Sequence, residues 1–257
     1  MPALLQQRDV RLYLLIGGFF LTCALTAEFI GVKIFSLEGT FGFKPFEWKL
    51  FGVGGSLQFT CGVILWPVVF VVTDLINEYY GRKGVRFLSY LTAGMITFAF
   101  LMVFLAVRTQ PADFWVGTFK DQNVPDLQAA FGAIMGQTSW IIVGSLIAFL
   151  LGQIIDAFVF HRVKKATGEK RLWLRATGST FISQFIDSFV VLYVAFVLGP
   201  QQWGLDLFLA VGTVNFIYKI FAALALTPVI YLVHGWIEAY LGKDLAADMK
   251  RRAMGEA

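Results

Sequence analysis

The 257-residue chain has two cysteines, two histidines and little charge. Cys23 and Cys61 are too few for a disulfide framework, and neither stands in a metal-binding spacing. Asp, Glu, Lys and Arg make up 15% of the residues, against about 25% in an ordinary soluble domain. No stretch rich in proline or serine marks a linker or a soluble module. The zincin pattern HExxH, the Gly-x-Gly-Asp pair of intramembrane aspartyl proteases and the phosphate-cradling loop are all missing, so the common membrane-enzyme signatures are excluded. His161 and His234 both fall beside predicted helix ends and read as interfacial residues. The first apolar run has a basic flank but is too long for the core of a cleavable leader. A net charge of +4 comes from basic residues spread over particular loops, which gives no nucleic-acid-binding patch. No cofactor is expected.

Apolar side chains are what the chain has in quantity. They make up 58% of it, with 27 Phe and 7 Trp, and the mean hydropathy is +0.70. One soluble core cannot hide that load, so the bilayer is the expected solvent. A hydrocarbon layer of about 30 Å takes about 20 apolar residues in a helix, and six stretches qualify: 12–35, 57–76, 87–107, 131–160, 177–198 and 207–233. The expected fold is therefore an all-α integral membrane protein of about six transmembrane helices, with residues 1–257 forming a single transmembrane domain. Pro67 predicts a kink in the second span.

Orientation follows from the basic residues. Arg8, Arg11, Arg82, Lys83, Arg86, Arg162, Lys164, Lys165, Lys170, Arg171, Arg175, Lys243, Lys250, Arg251 and Arg252 fall on one side. Only Lys44, Lys49, Arg108 and Lys120 fall on the other. The positive-inside rule makes the basic side cytoplasmic, with both termini there. The first outer loop, 36–56, mixes aromatics and glycines, and reads as an aromatic belt or a short hairpin. The tail after Leu241 reads as a short charged helix or as disordered.

Ionisable residues inside the spans are costly and tend to mark paths or sites. Glu28 falls a little outward of the middle of helix 1, and Lys33, one turn on, can snorkel to the outer surface. At the end of helix 2, Asp74, Asn77, Glu78 and Arg82 share a stripe, Glu78 and Arg82 can pair at the cytoplasmic interface, and Gly81 can terminate the helix. Helix 4 carries Gln153 and Asp156. Helix 5 carries Thr180, Ser183, Gln184 and Asp187. Helix 6 carries Asn215 and Lys219. Lys219, near the middle of its span, requires a partner, and Asp187 or Glu28 lies at matching depth.

These residues resemble a known family. Trp66-Pro67 followed by Thr73-Asp74-Leu75-Ile76-Asn77-Glu78-Tyr79-Tyr80-Gly81-Arg82-Lys83 is similar to the signature of the YhhQ/VUT family of queuosine precursor transporters. Ser179-Thr180 with Ser183-Gln184-Phe185-Ile186-Asp187-Ser188 resembles its fifth helix, and Lys219 with Thr227-Pro228 and Tyr231 resembles its last. Lys33 and Asp156 also fit. The resemblance implies uptake of the 7-deazaguanines preQ0 or preQ1 across a bacterial inner membrane, for tRNA modification. A guanine-like edge offers N–H donors to a carboxylate and an oxygen to a donor. Glu28 and Asp187 suit the first role, and Gln184, Asn215 and Lys219 the second. Phe181 or Tyr218 could stack on the base. Asp74, Asn77, Glu78 and Asp156 would line the cytoplasmic exit, with bending at Pro67 and Pro228. Two other readings are a substrate-capture subunit serving a separate ATP-driven module, and an enzyme holding a metal between Asp74 and Glu78. The protein is expected to act in the lipid bilayer, and the glycines at 94, 132, 136 and 144 could support a homodimer.

Overall fold

The computed structural model describes residues 6–136, 139–167 and 172–255. Lys170, Arg171 and the side chains of Lys164, Arg175 and Thr180, which enter the reading above, lie outside what is described. The chain forms α1 (Arg8–Ile30), β1 (Ile34–Ser36), α2 (Leu37–Phe41), β2 (Trp48–Leu50), β3 (Val53–Gly55) and β4 (Gln58–Thr60). A 3-10 turn (Cys61–Ile64) leads into α3 (Trp66–Arg108), followed by α4 (Asp113–Val116), α5 (Leu127–Gly136), α6 (Ser139–Thr167), α7 (Leu172–Leu192), α8 (Leu205–Leu241) and α9 (Lys243–Gly255). Four stretches, Arg8–Ile30, Trp66–Arg108, Leu127–Val163 and Leu205–Leu241, are long and apolar enough to cross a membrane, and Phe181–Val197 is a shorter apolar helix. This is an all-α, multi-pass membrane protein with a small β-element at one end.

α1 ends at Ile30 rather than continuing to Phe35. The reason lies in the backbone: the Lys33 carbonyl accepts from Cys61 N–H at 2.8 Å, and residues 34–36 pair antiparallel with 58–60. Residues 57–65, expected as the start of the second span, are instead β4 and the 3-10 turn. Between the strands, Trp48–Leu50 and Val53–Gly55 form a hairpin. Its two-residue turn has Phe51 and Gly52 both at positive φ, the geometry that matches strand twist. Glu38 holds this end together. Its buried carboxylate accepts from the N–H groups of Leu57 at 2.6 Å and Phe46 at 3.3 Å, and from the Ser36 hydroxyl at 3.0 Å.

Pro67 sits in the first turn of α3. There its missing N–H costs nothing and its fixed φ suits the helix, so the expected kink does not form. The break comes at Gly81, with φ 66° and ψ −172°. That glycine, expected to terminate the helix that carries Asn77 and Glu78 ahead of a basic loop, is instead followed directly by helix again. Neighbours of α1 show that the chain reverses there. Going along residues 62–80, Gly62 lies against Ala27 and Tyr80 donates to the Asp9 carbonyl, so this limb runs antiparallel to α1. In the other limb, Tyr13 donates to the Gly84 carbonyl and Phe29 stacks on Phe100 with centroids 5.1 Å apart. That limb runs parallel to α1.

The remaining helices continue the alternation. α6 lies parallel to the first limb of α3, with Trp66 on Phe149 and Thr73 on Gln153. α7 opposes α6, and α8 opposes α7 through Phe185–Phe216 and Phe189–Phe208 contacts. Two glycines set these distances. A Cβ on Gly144 would stand 2.9 Å from the Val191 carbonyl oxygen and 3.2 Å from Ala195 N. One on Gly212 would stand 2.6 Å from the Phe189 ring. Gly144 is therefore used inside the chain, not on a face free for a second copy. α7 continues through a single π-turn, Tyr193–Val197. α9 folds back, burying Ala246 and Met249 with Leu12, Leu75, Tyr79, Ile237 and Leu241.

Gly144→Val is expected to force α6 from α7 and cost about 1–3 kcal/mol, seen as a lowered unfolding midpoint in detergent. Gly94→Ala, where a Cβ meets open space, is expected to leave the midpoint unchanged or raise it. For Glu38, burial raises the carboxyl value, but the hydrogen bonds from Leu57, Ser36 and Phe46 outweigh it and hold the group below its ordinary value. A depressed value means the carboxylate's contribution is present above the ordinary carboxylate range and lost as pH falls through the folded value. Protection factors of the amides across 34–60, referred to the intrinsic exchange rate at each pH, should therefore fall on acidification, and Glu38→Gln should lower them at neutral pH.

Candidate functional site

Helical periodicity gathers the buried polar side chains into two tiers. On α6, Ser145, Ala148, Phe149, Gly152, Gln153 and Asp156 form one inward stripe. On α7 the stripe is Ser183, Gln184, Asp187 and Ser188. On α8 it passes through Gly212 and Lys219.

The first tier joins α1, α6, α7 and α8. Lys219 donates to the Asp187 carboxylate, and the two residues are 5% and 8% exposed. Gly212 makes this pair reachable by letting α8 lie close on Phe189. The Ser145 hydroxyl donates to the Glu28 carboxylate, and Glu28, 6% exposed, lies within electrostatic reach of Asp187. Because α1 stops at Ile30, Glu28 occupies its last turn rather than a position near its middle. Gln184 is buried a turn from Asp187, and its amide nitrogen has no hydrogen-bond partner among the described residues. Asn215, one turn from Lys219, donates to its own helix at the Val211 carbonyl, 3.1 Å away. Tyr218 packs on the buried Phe59 of β4, with ring centroids 4.4 Å apart. Phe181 is half-exposed and meets Phe216 edge-on, so it belongs to the outer surface of the bundle and not to this tier.

The second tier lies toward the Gly81 end. Ser145 and Asp156 are eleven residues apart on α6, about 16 Å along the axis. Here Thr73 donates to the Gln153 carbonyl oxygen at 3.0 Å, and Ser183 donates to Asp156 at 3.2 Å. Asp74, Asn77 and Glu78 are buried beside them. Glu78, expected at a water interface, is inside the bundle because the helix does not end before Gly81. Asn77 is 1% exposed, with neither side-chain polar atom hydrogen-bonded among the described residues. Among the described residues, no three His, Cys, Asp or Glu side chains gather as a metal cage.

The histidines differ from the interfacial reading. His161 is buried. His234 bonds through Nδ1 to the Tyr79 hydroxyl at 2.8 Å, while Glu238 lies 3.3 Å from its Nε2. Lys250 of α9 pairs with Glu238 at 2.5 Å, which fastens α9 over the end of the second tier. Sequence reading missed Ser145 and Phe59. Ser145 was findable from its place on the stripe of Gln153 and Asp156. Phe59 carries no such signal, because a three-residue strand sets its position.

Fold and site together define a multi-pass membrane protein in which long apolar helices surround buried charged groups. The chain belongs to the family described as "Putative vitamin uptake transporter", whose model matches residues 60–233. It is thus a transporter and not an enzyme. The match takes in both tiers except Glu28. A Bacillus subtilis (strain 168) protein named "Probable queuosine precursor transporter" is 30% identical over 174 residues, covering 65% of this chain and 68% of its own length. A Haemophilus influenzae protein of the same name is 24% identical over 205 residues, 77% of this chain and 80% of its own. The Escherichia coli (strain K12) "Queuosine precursor transporter" is 25% identical over 165 residues, 63% of this chain and 66% of its own. No solved structure matches the chain.

Removing one member of a buried ion pair strands the other charge, at a cost of about 3–5 kcal/mol. Lys219→Ala and Asp187→Leu are each expected to lower the unfolding midpoint sharply. The double variant Asp187→Leu/Lys219→Met should recover most of that loss while remaining inactive in transport. A double variant as unstable as the singles would show that the two side chains do not act as a pair.

Proposed function

We propose that this protein imports 7-deazaguanine precursors of queuosine, preQ0 and preQ1, across a bacterial inner membrane, by secondary or facilitated transport. The reading takes its substrate class from the names of the relatives and its chemistry from the first tier. The observation that carries it is the buried Asp187–Lys219 pair beside the unpartnered Gln184 amide. A carboxylate next to an ammonium complements the adjoining N–H groups and carbonyl oxygen of a guanine-type edge. Tyr218, seated on Phe59, supplies a ring at the same depth for the flat base. Asn215 and Glu28 complete the binding side chains.

In this reading the six alternating limbs are six spans, and the basic residues put both termini and the Gly81 turn in the cytoplasm. The hairpin end then faces outward, and residues 1–257 work as one transmembrane domain. Asp74, Asn77, Glu78 and Asp156 form the inward route below the site. Both tiers are buried, so solute entry and exit require the limbs to part in turn. Pro228 inside α8 and the π-turn of α7 are the bending points, in place of Pro67. Gly94 and Gly136, where a Cβ would meet nothing within 4 Å, leave room for a second copy at the bundle's surface.

A ligand that binds only the folded state raises its stability, by about 2.7 kcal/mol at a hundredfold excess over Kd. PreQ0 or preQ1 should raise the unfolding midpoint of the purified protein, and neither guanine nor riboflavin should match them. The shift should vanish in Asp187→Asn and Lys219→Ala. Uptake into liposomes holding this protein alone should proceed without ATP; a requirement for an ATPase would favour the capture-subunit alternative. A larger shift with riboflavin would overturn the deazaguanine assignment.

A further inference from the structure

The first tier is one positive charge short. It buries two carboxylates, Glu28 and Asp187, and one ammonium, Lys219, and that ammonium is bound to Asp187. Among the described residues, Glu28 is met by the Ser145 hydroxyl and by the like charge of Asp187. No lysine or arginine pairs with it. A buried carboxylate with a single neutral donor is poorly compensated, since desolvation of a charge is repaid only by opposite charge and several hydrogen bonds.

Two further groups point to something that fits between these side chains. The Gln184 amide nitrogen and the Ser188 hydroxyl are both buried, on the α7 face that carries Asp187, and among the described residues neither has a hydrogen-bond partner. Unsatisfied buried polar atoms are uncommon in a folded protein and call for a partner. The shortage of positive charge and the spare polar groups occur in one tier, on elements facing each other.

We propose that Glu28 receives a primary ammonium carried on the ligand, so that the protein selects the aminomethyl precursor, preQ1, over the nitrile, preQ0. This rests on the deazaguanine reading above and goes beyond it by choosing between the two. Asp187 and Lys219 read the guanine-type edge, and Glu28 with Ser145 reads the substituent on the five-membered ring. The ammonium offers three donors and a full charge to a carboxylate that has one donor now. The nitrile offers neither, and it leaves Glu28 uncompensated when the tier closes around it. Selection therefore arises as much from the penalty against the neutral ligand as from attraction of the charged one.

The test is titration calorimetry of the purified full chain in nanodiscs at neutral pH. The probes are preQ1, preQ0 and preQ1 acetylated on its amine, which keeps the substituent but removes the charge. PreQ1 should bind about tenfold or more tighter than either neutral probe, the gain of a charge-assisted hydrogen bond. In Glu28→Gln the preQ1-to-preQ0 ratio should fall toward one. PreQ0 binding as tightly as preQ1 to the unaltered protein would overturn the proposal and leave the deazaguanine assignment standing, with or without proton uptake. Failure of all three probes to bind would overturn both. The unaltered protein decides the matter even if Glu28→Gln does not fold.

Discussion

A lysine ammonium buried among apolar helices, with no route for its side chain to either surface, must find a negative charge within hydrogen-bond reach or give up its proton. Lys219 finds Asp187. That requirement fixes more than two side chains. Apolar packing between helices in a bilayer sets register weakly, because lipid tails are as apolar as the partner helix. A charge pair has one acceptable alignment. With Lys219 on Asp187, α8 cannot slide along α7, and the Phe185, Phe189, Phe208 and Phe216 contacts fall into place around it. The Ser145–Glu28 bond does the same for α6 and α1 at the same depth. The helices are thus held in register at this tier, so anything that rearranges those polar contacts also changes how the helices sit against one another.

The two ends of the bundle are built differently. At one end, Glu38 gathers backbone N–H groups from two turns of chain, which closes a region of short strands that has little core of its own. At the other, α9 is held by the Lys250–Glu238 pair and a small apolar cluster, beside the His234–Tyr79 hydrogen bond that ties α8 to α3. Tyr79 follows directly on Asn77 and Glu78. The helix that closes this end therefore touches the same turn of α3 that forms the inner polar tier.

Much of the helical order was legible because composition and the spacing of charge are strong signals in a membrane chain. Asp187, Lys219, Asp156 and Gln153 stood out as polar groups in apolar runs, and depth narrowed the partner of Lys219 to Asp187 or Glu28, of which the fold uses Asp187. What was missed has a physical pattern. The run from Asp74 to Arg82 is polar enough to read as a helix end passing into water, yet Asp74 to Tyr79 are buried, because Gly81 turns the chain within the protein and α9 packs on that turn of α3. The first span was drawn too long since Val32, Ile34 and Phe35 are apolar. What ends it is pairing with residues 58–60, a contact between segments that hydropathy does not register. Pro67 read as a kink because its distance from the true helix start was unknown. Ser145 was overlooked because a lone serine in an apolar helix is cheap and common.

Gly81 turns the chain through a helix-to-helix reversal in a single residue. The limbs on either side are therefore joined without slack: neither can advance along its axis unless the other retreats by the same amount or the turn itself unwinds. Such a connection acts like a crank rather than a tether.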